Sequence, residues 1–266
     1  MTSHPVRMAV IWMSGALLSF MGMAVSAREL TAELDTFEIL FYRSVVGLII
    51  ISFLLSRSGW AQVRTSKPLL HLVRNVAHFV GQYGWIYGIA AISLAEVFAI
   101  EFTVPVWSTI LAVLVLGERI SRAKLLAVVL GVAGTLVILR PGFKTVDPAA
   151  LAVLVAAIGY AVSHVLTKRL TRFDTPLAIL FFMTVIQLPL ALAPTIGSLT
   201  VPGIAMLPWL VLVGSTAMSA HYCMARAFGL ADATVVVPLD FLRLPMISVV
   251  GYLFYNELLD PFVFAG

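Results

Sequence analysis

The sequence predicts an all-α integral membrane protein made of two inverted five-helix repeats, a ten-helix architecture whose last helix falls outside these 266 residues. Three observations carry that expectation. Hydrophobic residues make up 61% of the chain and charged residues only 11%, whereas a soluble domain carries about 25% charged residues. One globule of this size cannot hide that much apolar side chain, so lipid must cover the remainder. Apolar runs of about 20 residues, enough to cross a bilayer, recur along the chain. Lastly, one stretch occurs twice. The first copy runs from Leu94 through Glu96, Glu101 and Pro105 to Leu116-Gly117-Glu118, and the second from Leu230-Ala231-Asp232 through Pro238, Asp240, Arg243 and Pro245 to Tyr255-Asn256-Glu257. Phe102 and Phe241 each stand sixteen residues before the closing glutamate, just ahead of a proline. The Ala95-Glu96 and Ala231-Asp232 pairs align once three residues are inserted in the second copy. Self-similarity at such a period marks a duplicated unit.

The spans follow in order. The first covers residues 8–27 and holds no charge. Arg7 before it and Val25-Ser26-Ala27 at its end also fit a signal peptide, but the run is long for one and the duplication requires this helix. The second covers 37–55, the third 70–92, the fourth 94–117 and the fifth 122–140. Then come 148–167, 175–196, 204–228 and 231–256. The links are short and rich in Pro, Gly or charge, as expected where a chain leaves lipid. The first repeat thus occupies 8–140, and the second 148–266 with its fifth helix cut short. A further apolar run is expected beyond Gly266.

Loop charge sets the expected orientation. The links after spans two, four and six carry Arg57, Arg64, Lys67, Arg119, Arg122, Lys124, Lys168, Arg169 and Arg172. The links after spans one, three, five and seven carry only Arg28, Arg140 and Lys144. The base-rich side is therefore expected in the cytoplasm, together with the N-terminus. Because a five-span unit is odd, its second copy enters the membrane from the opposite face. Glu118 then lies at the cytoplasmic end of span four and Glu257 at the outer end of span nine. Halves related in this way can rock about a site near the midplane.

Several function classes drop out. The net charge of +4 is spread over short loops and forms no nucleic-acid patch. Cys223 is the single cysteine, so no intrachain disulfide can form and a cysteine-based metal site is not expected. The sequence holds no phosphate loop, His-Glu-x-x-His or Gly-x-Ser-x-Gly. No cofactor, metal or catalytic residue is expected. The expected partners are a small-molecule solute and the lipid bilayer, and a homodimer remains open.

Charge inside a spanning helix costs at least about 2.5–3.5 kcal/mol on insertion scales, so it must pair or face a watery cavity. Arg43 in span two suits either a structural tie or an anionic group on a solute. Arg74 is close enough to the end of span three to snorkel outward. Glu101 is about 10 Å into span four at 1.5 Å per residue, too deep for its short side chain to escape. It is a candidate proton carrier, or the partner of Arg43. Pro105, four residues on, lacks an N–H and disturbs the turn at Glu101, so a kink is expected there. Trp107 is a candidate cavity-lining residue. Asp240 and Arg243 are three apart and share a helical face, bracketed by Pro238 and Pro245 as further kink positions. His221 and Tyr222 in span eight complete the candidate set, with His78 and His164 weaker.

Arg140-Pro141 after a glycine-rich fifth span, Leu116-Gly117-Glu118, and the run Ala225-Arg226-Ala227-Phe228-Gly229-Leu230-Ala231-Asp232-Ala233-Thr234-Val235-Val236-Val237-Pro238 resemble the drug/metabolite transporter superfamily. More narrowly, they look like its EamA-type permeases, in the style of the branch containing S-adenosylmethionine uptake transporters. The resemblance covers nearly the whole chain and rests on the order of the pieces rather than on one motif. It implies ten helices in two repeats, a bacterial inner-membrane location and transport of a small organic solute. Two departures stand out: the tenth helix is missing, and Glu101 stands where a small or polar residue is expected. A non-transporting scaffold and an intramembrane enzyme are the rival classes.

Overall fold

A computed structural model describes residues 3–116, 122–140, 145–230, 239–240 and 242–266. Every regular element among them is helical. Helix α1 spans Ser3–Leu30, α2 Thr36–Ser58, α3 Pro68–Ala91, α4 Leu94–Glu101 and α5 Val104–Leu116. Then come α6 Arg122–Leu139, α7 Pro148–Leu170, α8 Pro176–Leu192 and α9 Leu207–Leu230. After residues that include Leu239 and Asp240, α10 spans Arg243–Tyr255 and α11 Pro261–Ala265.

Short polar side chains start several of these helices. Asp35 caps α2 with a reciprocal box: Glu38 N–H donates to its carboxylate at 2.9 Å, and Asp35 N–H donates to Glu38 Oε2 at 3.0 Å. Ser93 caps α4, and Thr175 caps α8 just ahead of Pro176. The link between α1 and α2 repeats between α7 and α8. Fully buried Leu30 and Leu170 each end a helix, and the same run of turn residues follows before α2 or α8 begins.

The helices pack in long-range pairs: α1 on α9, α3 on α7, α2 on α8, and α4 on α10. Small residues bring α3 and α7 into close contact, the usual means of helix association in lipid. A Cβ on Gly84 would collide with the carbonyl oxygen of Ala152, and one on Gly159 would meet the carbonyl oxygen of Ala77 at 2.7 Å.

Six stretches among the described residues are long and apolar enough to cross a membrane. The expected third span forms as a helix, α3, yet is not one of them. Its buried row is polar: His71, Arg74, Asn75, His78 and Gln82 recur every three or four residues. Its outward row is Leu69, Leu72, Val73, Val76 and Val80, all exposed. This helix is inside-out relative to water, with lipid as the solvent for its apolar row and the protein interior for its polar one.

The expected fourth span is two helices. α4 stops at Glu101, residues 102–103 form a turn, and α5 starts at Val104 with Pro105 in its first turn. Proline lacks the N–H that would reach back to the Glu101 carbonyl, so the break sits where the chain loses that bond. Thr103 Oγ1 donates instead to the Ile100 carbonyl at 2.8 Å. The second copy breaks in the corresponding place: Leu242 is a turn residue and α10 begins at Arg243, with Pro245 in its first turn. Pro238, Phe241 and Glu118, together with the Ala231–Val237 part of the second copy, lie outside the described residues.

Candidate functional site

The two broken helices meet at one buried arginine. Arg243 begins α10 and is 5% exposed. Its Nη2 donates to Asp240 Oδ2 at 2.6 Å within the same segment. Its Nη1 donates to Glu101 Oε1 at 3.2 Å, across to the last residue of α4. Trp85 Nε1 on α3 donates to the other Glu101 oxygen at 2.8 Å. The Phe20, Phe98 and Phe102 rings surround the guanidinium, with centroids 4.5, 5.6 and 5.1 Å from its central carbon. Two carboxylates facing one guanidinium leave the group with a formal charge of −1. Asp240 Oδ1 is buried and has no hydrogen-bond partner among the described residues.

Arg43 is elsewhere, correcting the alternative in which it pairs with Glu101: the partner of Glu101 is Arg243. The guanidinium of Arg243 starts a helix packed against α4, whereas Arg43 projects from α2, which packs on α8 and α9. Arg74 is also corrected. It does not snorkel: it is 5% exposed, with Nε donating to Thr167 Oγ1 at 3.0 Å and Nη1 to Asn75 Oδ1 at 2.5 Å. It sits on the polar, inward row of α3.

His78 belongs to the same row. It bonds Gln187 through Nδ1 at 2.9 Å, and its ring lies 5.7 Å from His221 and 5.5 Å from Tyr160. Phe20 touches both sides of this interior, with its ring 6.1 Å from that of His221 and against the Arg243 guanidinium. His221 therefore faces inward. Tyr222, one residue on, does not: it is 42% exposed and packs edge-on against Trp12 at 5.9 Å. Trp107 stays at the break, donating through Nε1 to Thr103 Oγ1 at 3.1 Å. Pro105 is exposed in the first turn of α5.

A further cluster ties the end of α1, the start of α4 and the α10–α11 link together at the end of the bundle where α1 and α3 finish. Glu257 Oε1 accepts from Arg28 Nη2 at 2.7 Å, and its Oε2 accepts from the Leu94 N–H at 2.9 Å. Arg28 also donates to the carbonyls of Ile89 and Ile92. Tyr255 donates to Glu29 at 2.8 Å and lies under the Arg28 guanidinium. Burial pushes the Glu257 carboxyl above its usual value, outweighing the opposing pull of the Leu94 N–H and Arg28. At the other end, Asp174 accepts from Thr65 at 2.8 Å and bonds His71 at 3.0 Å.

Sequence reasoning passed over Trp85, Phe20, Phe98 and Tyr160, which are ordinary residues in apolar runs. The polar row of α3 does leave a signal, in its three-and-four spacing within an otherwise apolar span.

Comparison with known proteins agrees with this architecture. The family model described as the EamA-like transporter family matches residues 7–140. The chain is 26% identical over 251 residues to an S-adenosylmethionine uptake transporter of Rickettsia prowazekii, covering 94% of this chain and 85% of that one. It is 31% identical over 261 residues to a riboflavin transporter of Rhizobium johnstonii, covering 95% and 85%. A solved crystal structure overlays with a TM-score of 0.68 at 16% identity, over 96% of this chain and 91% of the other, a likeness of fold.

Proposed function

The chain belongs to the EamA-like transporter family, and on that premise we propose that it carries a small organic metabolite across the bacterial inner membrane by alternating access. One observation carries the mechanism. Buried Arg243, from the second half of the chain, is held by Glu101 from the first half and by Asp240 from its own. A seam that closes on a shared ion is one that a competing charge or a proton can loosen.

Three features support two opposed halves. The α1–α2 link recurs as the α7–α8 link. Two of the helix pairs map onto one another when the halves are exchanged: α1–α9 becomes α7–α3, while α2–α8 becomes itself. The distribution of loop bases supports two links on opposite faces, with the N-terminus inside. In this arrangement the Glu257–Arg28–Leu94 cluster closes the outer face over the Arg243 seam, and each transport cycle must break it. The driving force is an ion or solute gradient, with Glu101 and Asp240 as the coupling groups. Arg43, Trp107, His221, Asp240 and Arg243 form the wall that meets the solute, and the turns at Pro105 and Pro245 let the broken helices move.

A second reading, an S-adenosylmethionine-type importer, is favoured by the named relative and by the acidic, ring-lined setting of Arg243. A solute with cationic groups suits the unpartnered oxygen of Asp240. The test is uptake of labelled S-adenosylmethionine, riboflavin and amino acids into proteoliposomes, with and without a proton gradient. Saturable flux of at least one solute is expected, reduced about tenfold or more in Glu101→Gln, since coupling groups that act only during transfer carry effects of this order. No flux under either condition would favour the scaffold or enzyme readings.

A further inference from the structure

The Arg243 seam accounts for two acids and one base. It leaves two buried guanidiniums unexplained. Arg43 is 7% exposed, and among the described residues no hydrogen bond or ion pair reaches its side chain. Arg74 is held only by neutral groups, the Thr167 hydroxyl and the Asn75 amide. The two sense each other electrostatically, and their field reaches His78 and His221. Among the described residues, the titratable groups near Arg43 and Arg74 are Tyr160, His164, His78 and His221, none of them a carboxylate. The acids nearby are already engaged: Glu101 and Asp240 by Arg243, and Asp174 by His71 and Thr65.

Burying one cation without a counter-ion costs several kcal/mol even after relaxation, and two like charges add to that cost. Structural roles call for a single tied arginine, as Arg28 is tied. Two buried guanidiniums facing one interior, with no carboxylate opposite among the described residues, call for an anion from outside the chain. Arg43 is the freer of the two, because Arg74 is fixed in place by its two hydrogen bonds. Tyr160 links the two regions electrostatically, with contributions from Arg43 and from Glu101 and Arg243. A solute spanning both would bring its anion to Arg43 and a cationic or polar end to Asp240.

We propose that Arg43, backed by Arg74, is the recognition site for an anionic group (carboxylate or phosphate) on the transported solute. This assignment rests on the transport reading, since it names the substrate class for the same interior. The two guanidiniums supply the paired N–H donors that such groups accept.

The test uses the whole purified chain in detergent without added lipid. Benzoate is compared with benzamide, and inorganic phosphate with chloride, at equal ionic strength by thermal shift. Benzoate or phosphate should raise the melting temperature saturably, by about 3 °C at ten times the dissociation constant. Benzamide and chloride should do little, and which of the two anions acts separates carboxylate from phosphate. Arg43→Gln should abolish the shift, and Arg43→Lys should keep part of it. An unchanged shift in Arg43→Gln overturns the assignment, as does the absence of any anion effect in the unmodified chain, which decides the matter even if Arg43→Gln does not fold. Flux separates this from the transport reading. Transport of anion-free solutes, undiminished in Arg43→Gln, overturns the anion site and leaves transport standing. An Arg43-dependent shift with no flux of any solute upholds the anion site and overturns transport.

Discussion

At the residue scale, Glu101 bears most of the argument. It accepts from Trp85 and Arg243 at once, and its side chain is 14% exposed. Glu101→Gln keeps an acceptor for Trp85 but removes one of the two charges neutralising Arg243. A hydrogen bond to a charged group contributes about 1.5–3 kcal/mol, so a loss of stability in that range is expected by thermal or denaturant unfolding in detergent. Trp85→Phe removes only a neutral donor, and a loss of about 1 kcal/mol is expected. Equal losses in the two variants would show that the Arg243 contact contributes nothing beyond the indole bond. The Asp240–Arg243 pair was legible in the sequence, because the two residues stand only three positions apart. The Glu101–Arg243 pair was not, because 142 positions separate them and only the packing of α4 on α10 joins them. Arg74 was misjudged for a related reason: its depth suggested snorkelling, but the direction it points depends on α7, which supplies Thr167.

At the scale of elements, both copies of the repeated helix break beside a proline, and these breaks place Glu101 and Arg243 at helix ends. Proline made the α4–α5 break readable in advance. The clustering of Arg28, Glu257 and Leu94 was not readable, since it joins two helix ends and a link far apart in sequence. That cluster yields a pH prediction. Its closed form raises the Glu257 carboxyl above the usual value. A carboxyl whose pKa is raised in one state binds its proton better there, so acid favours that state. The stabilisation of the closed cluster is fully present below the ordinary carboxylate value and is lost as pH rises through the raised one. Spin labels on the α3–α4 and α10–α11 links should therefore report more opening as pH rises through this window, and Glu257→Gln should flatten the dependence. Glu29, Tyr255 and Arg28 also face this cluster, so a dependence that survives in Glu257→Gln would assign the titration to one of them.

At the scale of the whole molecule, composition and spacing disclosed a helical membrane protein, and loop charge disclosed a reason to expect two opposed halves. Charge inside the apolar spans pointed to the interior residues, but pairing among them needed the fold. The inside-out character of α3 shows why: a polar row raises no alarm in a soluble helix, and in a membrane it defines the interior. In the proposed cycle the α4–α10 seam, closed by Arg243 in the interior and by Glu257 at the rim, opens at every turnover. Linking its two sides tests this most directly. In a Cys223→Ser background, Ala91→Cys and Leu258→Cys, both at exposed positions, would be joined by a reducible cross-linker and flux followed in proteoliposomes. The seam is predicted to stop flux when locked and to restore it on reduction, whereas undiminished flux through the locked protein would contradict the account.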